Sequence, residues 1–225
     1  MKKEFWLQRW EEGQIGFHQD AVHPDLLAHQ ARLLGGSRKR VFVPLCGKSR
    51  DLAWLAAQGH EVVGAELSAV AVRQLFEEAG LEATVTAEGG AERWQSGSLT
   101  VFCGDLFALT DVQLGRFDRI WDRAALVALP EDMRGGYTER LRSLLTDDGA
   151  ILLNCFRYGL PGGPPHSISE HEVFRRYGDG FSLELLRATD GIEQAGRFKE
   201  AGATEFVIMT WWLQRRAPRA HAAAP

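Results

Sequence analysis

The residues best suited to bind a ligand lie where two neighbouring stretches of predicted β-strand end. Residues 40–45 and 61–66 are short runs rich in β-branched side chains, a composition typical of strands. Glu66 closes the second run and follows Gly47, in the turn after the first run, by 19 residues. An acidic side chain about 20 residues beyond such a turn commonly binds the ribose hydroxyls of a nucleotide. A solvated strand end or a helix-start carboxylate is the alternative interpretation of Glu66.

The turn at residues 45–50 limits the kind of nucleotide that could bind there. It reads Leu-Cys-Gly-Lys-Ser-Arg and has a single glycine, whereas a dinucleotide site needs GxGxxG so that the backbone can approach the pyrophosphate. Gly47-Lys48-Ser49 resembles the end of a phosphate-binding P-loop, but Phe42 stands where that motif has its first glycine. The turn therefore matches neither of these two phosphate-binding motifs. A nucleoside without phosphates, of which S-adenosylmethionine is the common one, requires less of this turn.

Composition sets the broad class of the protein. The 225 residues are 45% hydrophobic and 25% charged, which is typical of one globular domain. A net charge of −4 provides no field that would attract nucleic acid or an anionic membrane. No run approaches the roughly 18 apolar residues of a membrane span, and charges interrupt the apolar residues near the N-terminus. The three cysteines are far apart and the histidines lack metal-ligand spacing, so we expect a cytoplasmic protein without a metal site.

Periodicity along the chain alternates between strands and helices. We predict seven strands, at residues 40–45, 61–66, 99–103, 117–121, 150–156, 181–187 and 205–213. Helices are predicted at residues 5–10, 24–34, 49–58, 69–79, 130–145 and 169–177. This alternation favours a doubly wound α/β fold with a parallel sheet. Residues 84–98 are polar and contain glycine, which indicates a hairpin or an insertion.

Five sequence runs carry a resemblance to a known family. In chain order they are FWLQRWEEGQIGFHQ, VFVPLCGKSRDLAWLAAQGHEVVGAELS, FCGDLFAL, GRFDRIWDRAALVALP and GGPPHS. Their order and spacing resemble those of the thiopurine S-methyltransferases, for which PLCGKS with AELS and WDRAALVAL is a highly specific set. The resemblance covers about residues 4–166 and later retains mainly the strand spacing and Arg197. It implies a mostly parallel, seven-stranded Rossmann-like methyltransferase sheet, and S-adenosyl-L-methionine as the cofactor.

The resemblance also implies which residues form the site. Carried over position by position, the cofactor-binding residues are Trp10, Phe17, Leu45, Glu66, Asp105, Leu106 and Arg123. Arg123 and Arg197 are the candidate catalytic residues, because either arginine could stabilise an anionic acceptor. The family usually has an aromatic residue after GPP, whereas this chain has His166, and this departure leaves the preference for an acceptor open.

Several of these residues have ordinary structural interpretations as well. Trp10 offers an aromatic face and a hydrogen-bond donor to the methionine portion and the sulfonium of the cofactor, but it could also be a core tryptophan. Asp105 could accept a hydrogen bond from an adenine amino group or cap a turn. Arg123 could hold a carboxylate or form a salt bridge with Asp118 or Asp122.

The activity implied by the resemblance is methyl transfer to the sulfur of a small heteroaromatic thiol. Positioning alone can contribute roughly 7–11 kcal/mol to such a displacement, and an acidic thiol needs no strong base. The alternatives are an acceptor containing selenium or tellurium, another small thiol, a nicotinamide-dependent oxidoreductase, or a nucleoside-binding module without catalysis. The missing GxGxxG argues against the oxidoreductase. We expect a monomer.

The N-terminus is predicted to cover the site. Trp6, Trp10, Ile15 and Phe17 fall in a segment, residues 6–20, that is too short to form a core of its own. We therefore expect residues 1–36 to be a helical extension that acts as a lid and orders when cofactor binds. Residues 37–215 then form the main domain, and residues 216–225 a disordered tail.

Overall fold

The computed structural model describes residues 3–216. The predicted tail therefore lies outside the described residues, apart from its first position. Nine strands are found in this range: β1 (Arg40–Pro44), β2 (Glu61–Glu66), β3 (Thr84–Glu88), β4 (Ala91–Ser96), β5 (Leu99–Cys103), β6 (Phe117–Arg123), β7 (Leu145–Tyr158), β8 (Phe181–Asp190) and β9 (Phe206–Arg215). The helices are α1 (Lys3–Glu11), α2 (Pro24–Leu34), α3 (Arg50–Ala57), α4 (Ala69–Glu78), α5 (Asp111–Leu114), α6 (Glu131–Leu144), α7 (Glu170–Tyr177) and α8 (Gly196–Glu200).

All nine strands belong to one mixed sheet, in the order β3-β4-β5-β2-β1-β6-β7-β9-β8. The central strands β5, β2, β1, β6 and β7 pair in parallel, while the pairings toward both edges are antiparallel. Strand order reverses at β1, whose two neighbours are β2 and β6. Ligands of open α/β sheets bind at such a reversal, beyond the carboxyl ends of the strands.

The prediction of seven mostly parallel strands is therefore wrong in number and in pairing. The polar stretch at residues 84–98 forms the hairpin β3–β4, and this hairpin adds two antiparallel strands to the edge at β5. Its sequence indicated a hairpin but could not show that β4 pairs with β5. The seven strands that were predicted are all present.

Local sequence signals account for most helix starts in the first half of the chain. Pro24 opens α2, as expected for a residue whose fixed φ suits the first helical turn. Ser49 and Ser68 cap α3 and α4 by accepting the backbone N–H groups of Asp51 and Ala71, which satisfies donors that have no partner within the helix. The predicted capping role of Ser68 is confirmed.

Two hydrophobic clusters cover the two faces of the sheet. One includes Phe42, Phe117 and Tyr137 on the face of α6 and α7, and the other includes Leu26 and Leu33 of α2. Because these α2 leucines have no solvent exposure, α2 packs as part of the main core. A division of the chain at residue 36 remains a prediction.

Candidate active site

Glu66 lies at the end of β2 and connects the turns after β1 and β2. Its Oε2 accepts the backbone N–H of Gly47 at 2.8 Å, and its Oε1 accepts the N–H of Ser68 at 2.8 Å. The side chain is buried, and burial raises the pKa of Glu66 above its ordinary value although the backbone N–H groups oppose that rise. Glu66 is therefore not a freely solvated carboxylate, and its hydrogen bond from Ser68, the cap of α4, fits the helix-start interpretation. The carboxylate retains lone-pair capacity with which to accept a hydroxyl.

Two residues without glycine's conformational freedom adopt the left-handed conformation at this edge of the sheet. Leu45, directly after β1, has φ of 47°, and Ala124, directly after β6, has φ of 57°. Such conformations are uncommon for residues with a side chain and cluster at functional sites. Since β1 and β6 are neighbours, both turns lie at the point where strand order reverses.

An aromatic cluster from the N-terminal segment lies over the turn after β1. Trp10 is 5% exposed, and its ring contacts Phe17 edge to face, with centroids 5.6 Å apart. A Cβ atom added at Gly47 would lie 3.0 Å from Cζ2 of Trp10, so the indole packs directly on the backbone of that glycine. Two of the predicted cofactor residues, Trp10 and Phe17, are thus brought to Gly47 and Glu66.

Asp105 and Leu106 follow β5, next to β2. The N–H of Gly104 donates to the carbonyl of Glu66 at 2.8 Å, which places the turn after β5 beside the end of β2. Asp105 accepts the N–H of Phe107 and forms an ion pair with Lys3 of α1 at 2.7 Å. Leu106 is buried in the core. Asp105 caps its turn, as the alternative interpretation held, and one of its oxygens also holds α1.

Arg123 ends β6 and reaches the N-terminal segment. Its Nη2 donates to the carbonyl of Phe17 at 3.1 Å, and burial lowers the pKa of Arg123 while Asp51 opposes that effect. The predicted alternative partners are engaged elsewhere: Asp118 accepts the N–H of Arg40, and Asp122 accepts the hydroxyl of Tyr137 at 2.8 Å. Neither aspartate pairs with Arg123. Because an arginine side chain stays charged in proteins, a cation lies at the strand ends, close to the aromatic cluster.

Arg197 is connected to the same region indirectly. It lies in α8, is exposed, and donates to the carbonyl of Pro164 at 3.4 Å. The loop that contains Pro164 also contains His166, whose backbone N–H donates to the carbonyl of Val127, four residues after Arg123, at 2.6 Å. The loop that contains Pro164 and His166 thus connects Arg197 of α8 to the turn after β6. It does not place Arg197 in direct contact with Glu66 or Trp10.

Sequence reasoning missed two charged residues of this region. Lys3 holds α1 to Asp105. Asp51 is 1% exposed and accepts the indole N–H of Trp121 at 2.7 Å and the backbone N–H of His23 at 2.8 Å. Asp51 lies two residues after the capping Ser49, where an aspartate ordinarily supports a helix start. No sequence pattern distinguished it from such a residue.

Other candidate sites on the described part of the chain are weak. A surface depression of about 710 Å³ is lined by residues of α2, β6, β8 and β9, among them Arg32, Arg119 and Trp212. It lies toward the amino ends of the parallel strands, away from Glu66. Within residues 3–216, no group of three or more histidine, cysteine or acidic side chains is arranged to hold a metal ion.

The arrangement of strands is shared with proteins of known structure. A 1,6-didemethyltoxoflavin-N1-methyltransferase from Burkholderia thailandensis, solved with 1,6-didemethyltoxoflavin and S-adenosylhomocysteine bound, matches with a TM-score of 0.64 at 18% sequence identity. The match covers 96% of this chain and 87% of that one. At this identity the likeness concerns the fold alone, and that fold is the α/β methyltransferase fold with a large mixed sheet.

Comparison of sequences identifies the family. The family model for thiopurine S-methyltransferase matches residues 1–216. The thiopurine S-methyltransferase of Methylococcus capsulatus is 41% identical over 220 residues, which cover 96% of this chain and 99% of that protein. That of Xanthobacter autotrophicus is 44% identical over 218 residues, covering 96% of this chain and all of that protein. The chain therefore belongs to the thiopurine S-methyltransferase family.

Proposed function

We propose that this protein transfers a methyl group from S-adenosyl-L-methionine to the sulfur of a small heteroaromatic thiol such as a thiopurine. Its family, the named activity of its relatives and its methyltransferase fold support this activity. The observation that carries the proposal is the convergence of Glu66, Arg123 and the Trp10 cluster on adjacent strand ends where strand order reverses.

The residues present suit such a cofactor. Glu66 is a buried acceptor with lone pairs to spare for ribose hydroxyls. Gly47, which lacks a side chain, lets the Trp10 ring approach the backbone beside that carboxylate, and an indole face attracts a sulfonium cation. Asp105 offers a carboxylate beside β2 that is suited to an adenine amino group, and Leu106 lies directly after it.

The reaction requires orientation more than acid–base chemistry. S-adenosyl-L-methionine would supply the methyl group, with a neutral thioether as the leaving group. The residues of the site would have to hold the acceptor sulfur in line with that methyl group, because the displacement requires this alignment. Arg123 and Arg197 provide positive charge for an anionic acceptor. The N-terminal aromatic cluster excludes water, and no residue is needed to remove a proton from a thiol that is already ionised.

The setting of the reaction follows from the same proposal. The three cysteines Cys46, Cys103 and Cys155 are unpaired, which suits a reducing cytoplasm. No helix within residues 3–216 has the length and apolar character needed to cross a bilayer. We propose a monomer that acts on a small molecule and does not require nucleic acid or a membrane.

A transfer assay with methyl-labelled S-adenosyl-L-methionine tests the function. The acceptors are a thiopurine, a small aliphatic thiol, selenite and tellurite, with a nicotinamide cofactor and a hydroxy acid as a separate arm. We expect label in the thiopurine product and no change in nicotinamide absorbance. A preference for selenite or tellurite would show that the acceptor is a selenium or tellurium species and not a thiopurine. Hydride transfer would indicate an oxidoreductase. Binding of the cofactor without any turnover would indicate a non-catalytic module.

A further inference from the structure

A single buried carboxylate holds the turn after β6. Asp122 is the penultimate residue of β6 and has no solvent exposure. Its Oδ1 accepts the backbone N–H groups of Ala125 and Leu126, at 3.2 and 3.3 Å. Its Oδ2 accepts the hydroxyl of Tyr137 of α6 at 2.8 Å. Three donors therefore converge on one side chain, and two of them belong to the turn.

The first residue of this turn has an unfavourable backbone conformation. Ala124 has φ of 57°, in the left-handed region that residues with a Cβ atom seldom adopt. Such a conformation persists only where the surrounding contacts outweigh its cost. The N–H of Ala124 donates to the carbonyl of Asn154 of β7 at 3.0 Å, and the next two N–H groups donate to Asp122. These three hydrogen bonds hold the chain in one direction as it leaves β6.

Arg123 lies between Asp122 and Ala124. Successive residues of a strand project to opposite faces of the sheet. Accordingly, Asp122 contacts Tyr137 on the face of α6, whereas Arg123 donates to the carbonyl of Phe17 in the N-terminal segment. The two side chains face away from each other, so Asp122 can influence the guanidinium only through the backbone of the turn.

We infer that Asp122 is a positioning residue for Arg123. By holding the N–H groups of Ala125 and Leu126, its carboxylate keeps Ala124 in the left-handed conformation. The turn then sets the direction in which the Arg123 side chain leaves the end of β6 toward the methyl acceptor. This inference rests on the role of Arg123 in the proposed function. A carboxylate that only supported the fold would affect stability without a specific effect on Arg123.

The first test measures how well Arg123 is held in the full-length protein without cofactor. Phenylglyoxal modifies accessible arginines, and mass spectrometry of peptides gives the rate at each site. Asp122→Ala should accelerate modification of Arg123 by at least about tenfold, the effect of losing one hydrogen bond to a charged group. Arg119, a half-buried arginine of the same strand, is the internal reference and should keep its rate.

Tyr137→Phe is the matched control for this test. It removes the third hydrogen bond of the same carboxylate and leaves both turn N–H groups paired. It should therefore lower stability without changing the rate at Arg123. An unchanged rate at Arg123 in Asp122→Ala, or an equal acceleration at Arg123 and Arg119, would overturn the inference.

The second test is a double-mutant cycle on kcat/KM for the thiol acceptor. Asp122→Ala should lower kcat/KM by at least about tenfold in the wild-type background, but by less than about twofold in an Arg123→Ala background, where nothing remains to be positioned. Asp122→Asn keeps an oxygen that can accept both N–H groups, so it should recover most of the activity that Asp122→Ala loses. Equal losses in both backgrounds, or a loss in Asp122→Asn as large as in Asp122→Ala, would contradict the inference.

A second variant covers the case in which Asp122→Ala does not fold. Asp122→Val combined with Tyr137→Phe keeps the volume, suits a strand and removes both partners of the buried hydrogen bond together. It is compared with Tyr137→Phe alone, and the same outcomes at Arg123 apply. If the wild type transfers no methyl group to any acceptor, the proposed function fails, while the modification rates still decide the role of Asp122.

Discussion

Glu66 joins two turns through a single carboxylate, so its replacement affects both the site and the fold. Glu66→Ala should weaken S-adenosyl-L-methionine binding by about 1–3 kcal/mol, the range for lost hydrogen bonds to a charged group. Because Gly47 and Ser68 each lose an acceptor, the free energy of unfolding should fall as well. Calorimetric titration and urea unfolding measure the two effects. Glu61→Ala, at the other end of β2, is the control and should leave the affinity unchanged. Unaltered affinity in Glu66→Ala would remove Glu66 from the cofactor site.

Arg123 is a half-buried cation at the end of β6. Arg123→Ala should lower kcat/KM for an anionic thiol by about 10- to 150-fold, which corresponds to about 1.5–3 kcal/mol for a charged hydrogen bond. Arg197→Ala should cause a smaller loss, because Arg197 is exposed. Lys199→Ala, which removes an exposed lysine of the same helix that pairs with Glu193, should change kcat/KM less than twofold. An effect of Arg123→Ala as small as that of Lys199→Ala would exclude a catalytic role.

Asp122 gives stability a pH dependence. Its carboxylate has no solvent exposure, and burial raises its pKa from 3.8 to about 6. Because the pKa of Asp122 is higher in the folded than in the unfolded state, the protonated carboxyl stabilises the native state. This contribution is fully present below about pH 4 and is lost as the pH rises through about 6. Relative to Asp122→Asn, the wild type should therefore lose roughly 2 kcal/mol of unfolding free energy between pH 4 and pH 7. Urea titrations across that range measure the difference, and parallel curves for the two proteins would contradict the prediction.

At the scale of elements, α1 and the turn that follows it are held to the strand ends by three separate contacts. Trp10 packs on Gly47, Lys3 pairs with Asp105, and the carbonyl of Phe17 accepts from Arg123. Deleting residues 1–20 removes all three contacts but leaves α2 and its buried leucines in place. We expect a folded domain whose methyl transfer is almost abolished.

The same segment provides a test of movement. If it acts as a lid, amide exchange in residues 6–20 should slow when S-adenosyl-L-methionine binds. Equally slow exchange with and without cofactor would identify a permanently packed helix. Near-normal turnover after deletion of residues 1–20 would show that the segment is not needed for catalysis.

Periodicity and capping residues were sufficient to predict most elements, because they act within a few neighbouring residues. The seven predicted strands, the helix cap at Ser68 and the position of Glu66 at a strand end all follow from local pattern. Contacts between distant segments have no such signal. The pairing of Asp25 with Thr210, or of Lys3 with Asp105, depends on strand order and register. A short helix such as α8 was missed because five residues cannot display a helical period.

At the scale of the whole molecule, ligand binding should be visible as added stability. S-adenosyl-L-methionine at 100 times its dissociation constant, which we expect to be micromolar, stabilises the native state by about 2.7 kcal/mol. For a chain of this length the melting temperature should rise by about 5–10 °C. A nicotinamide dinucleotide at the same concentration should produce no shift, because the turn at Gly47 lacks the glycines that a pyrophosphate needs. A larger shift with the dinucleotide would favour the oxidoreductase alternative.

The ion pair between Lys3 and Asp105 has a practical consequence for handling the protein. It places the third residue of the chain at the carboxyl ends of the central strands, beside Glu66. Arg215, the last residue of β9, lies instead opposite the start of β8, at the amino ends of the parallel strands. An affinity tag or fluorescent fusion joined ahead of Lys3 would therefore emerge beside Glu66, at the proposed cofactor site. The same addition after residue 216 would leave from the opposite end of the sheet, so purification and imaging versions of this enzyme should be built at the C-terminus.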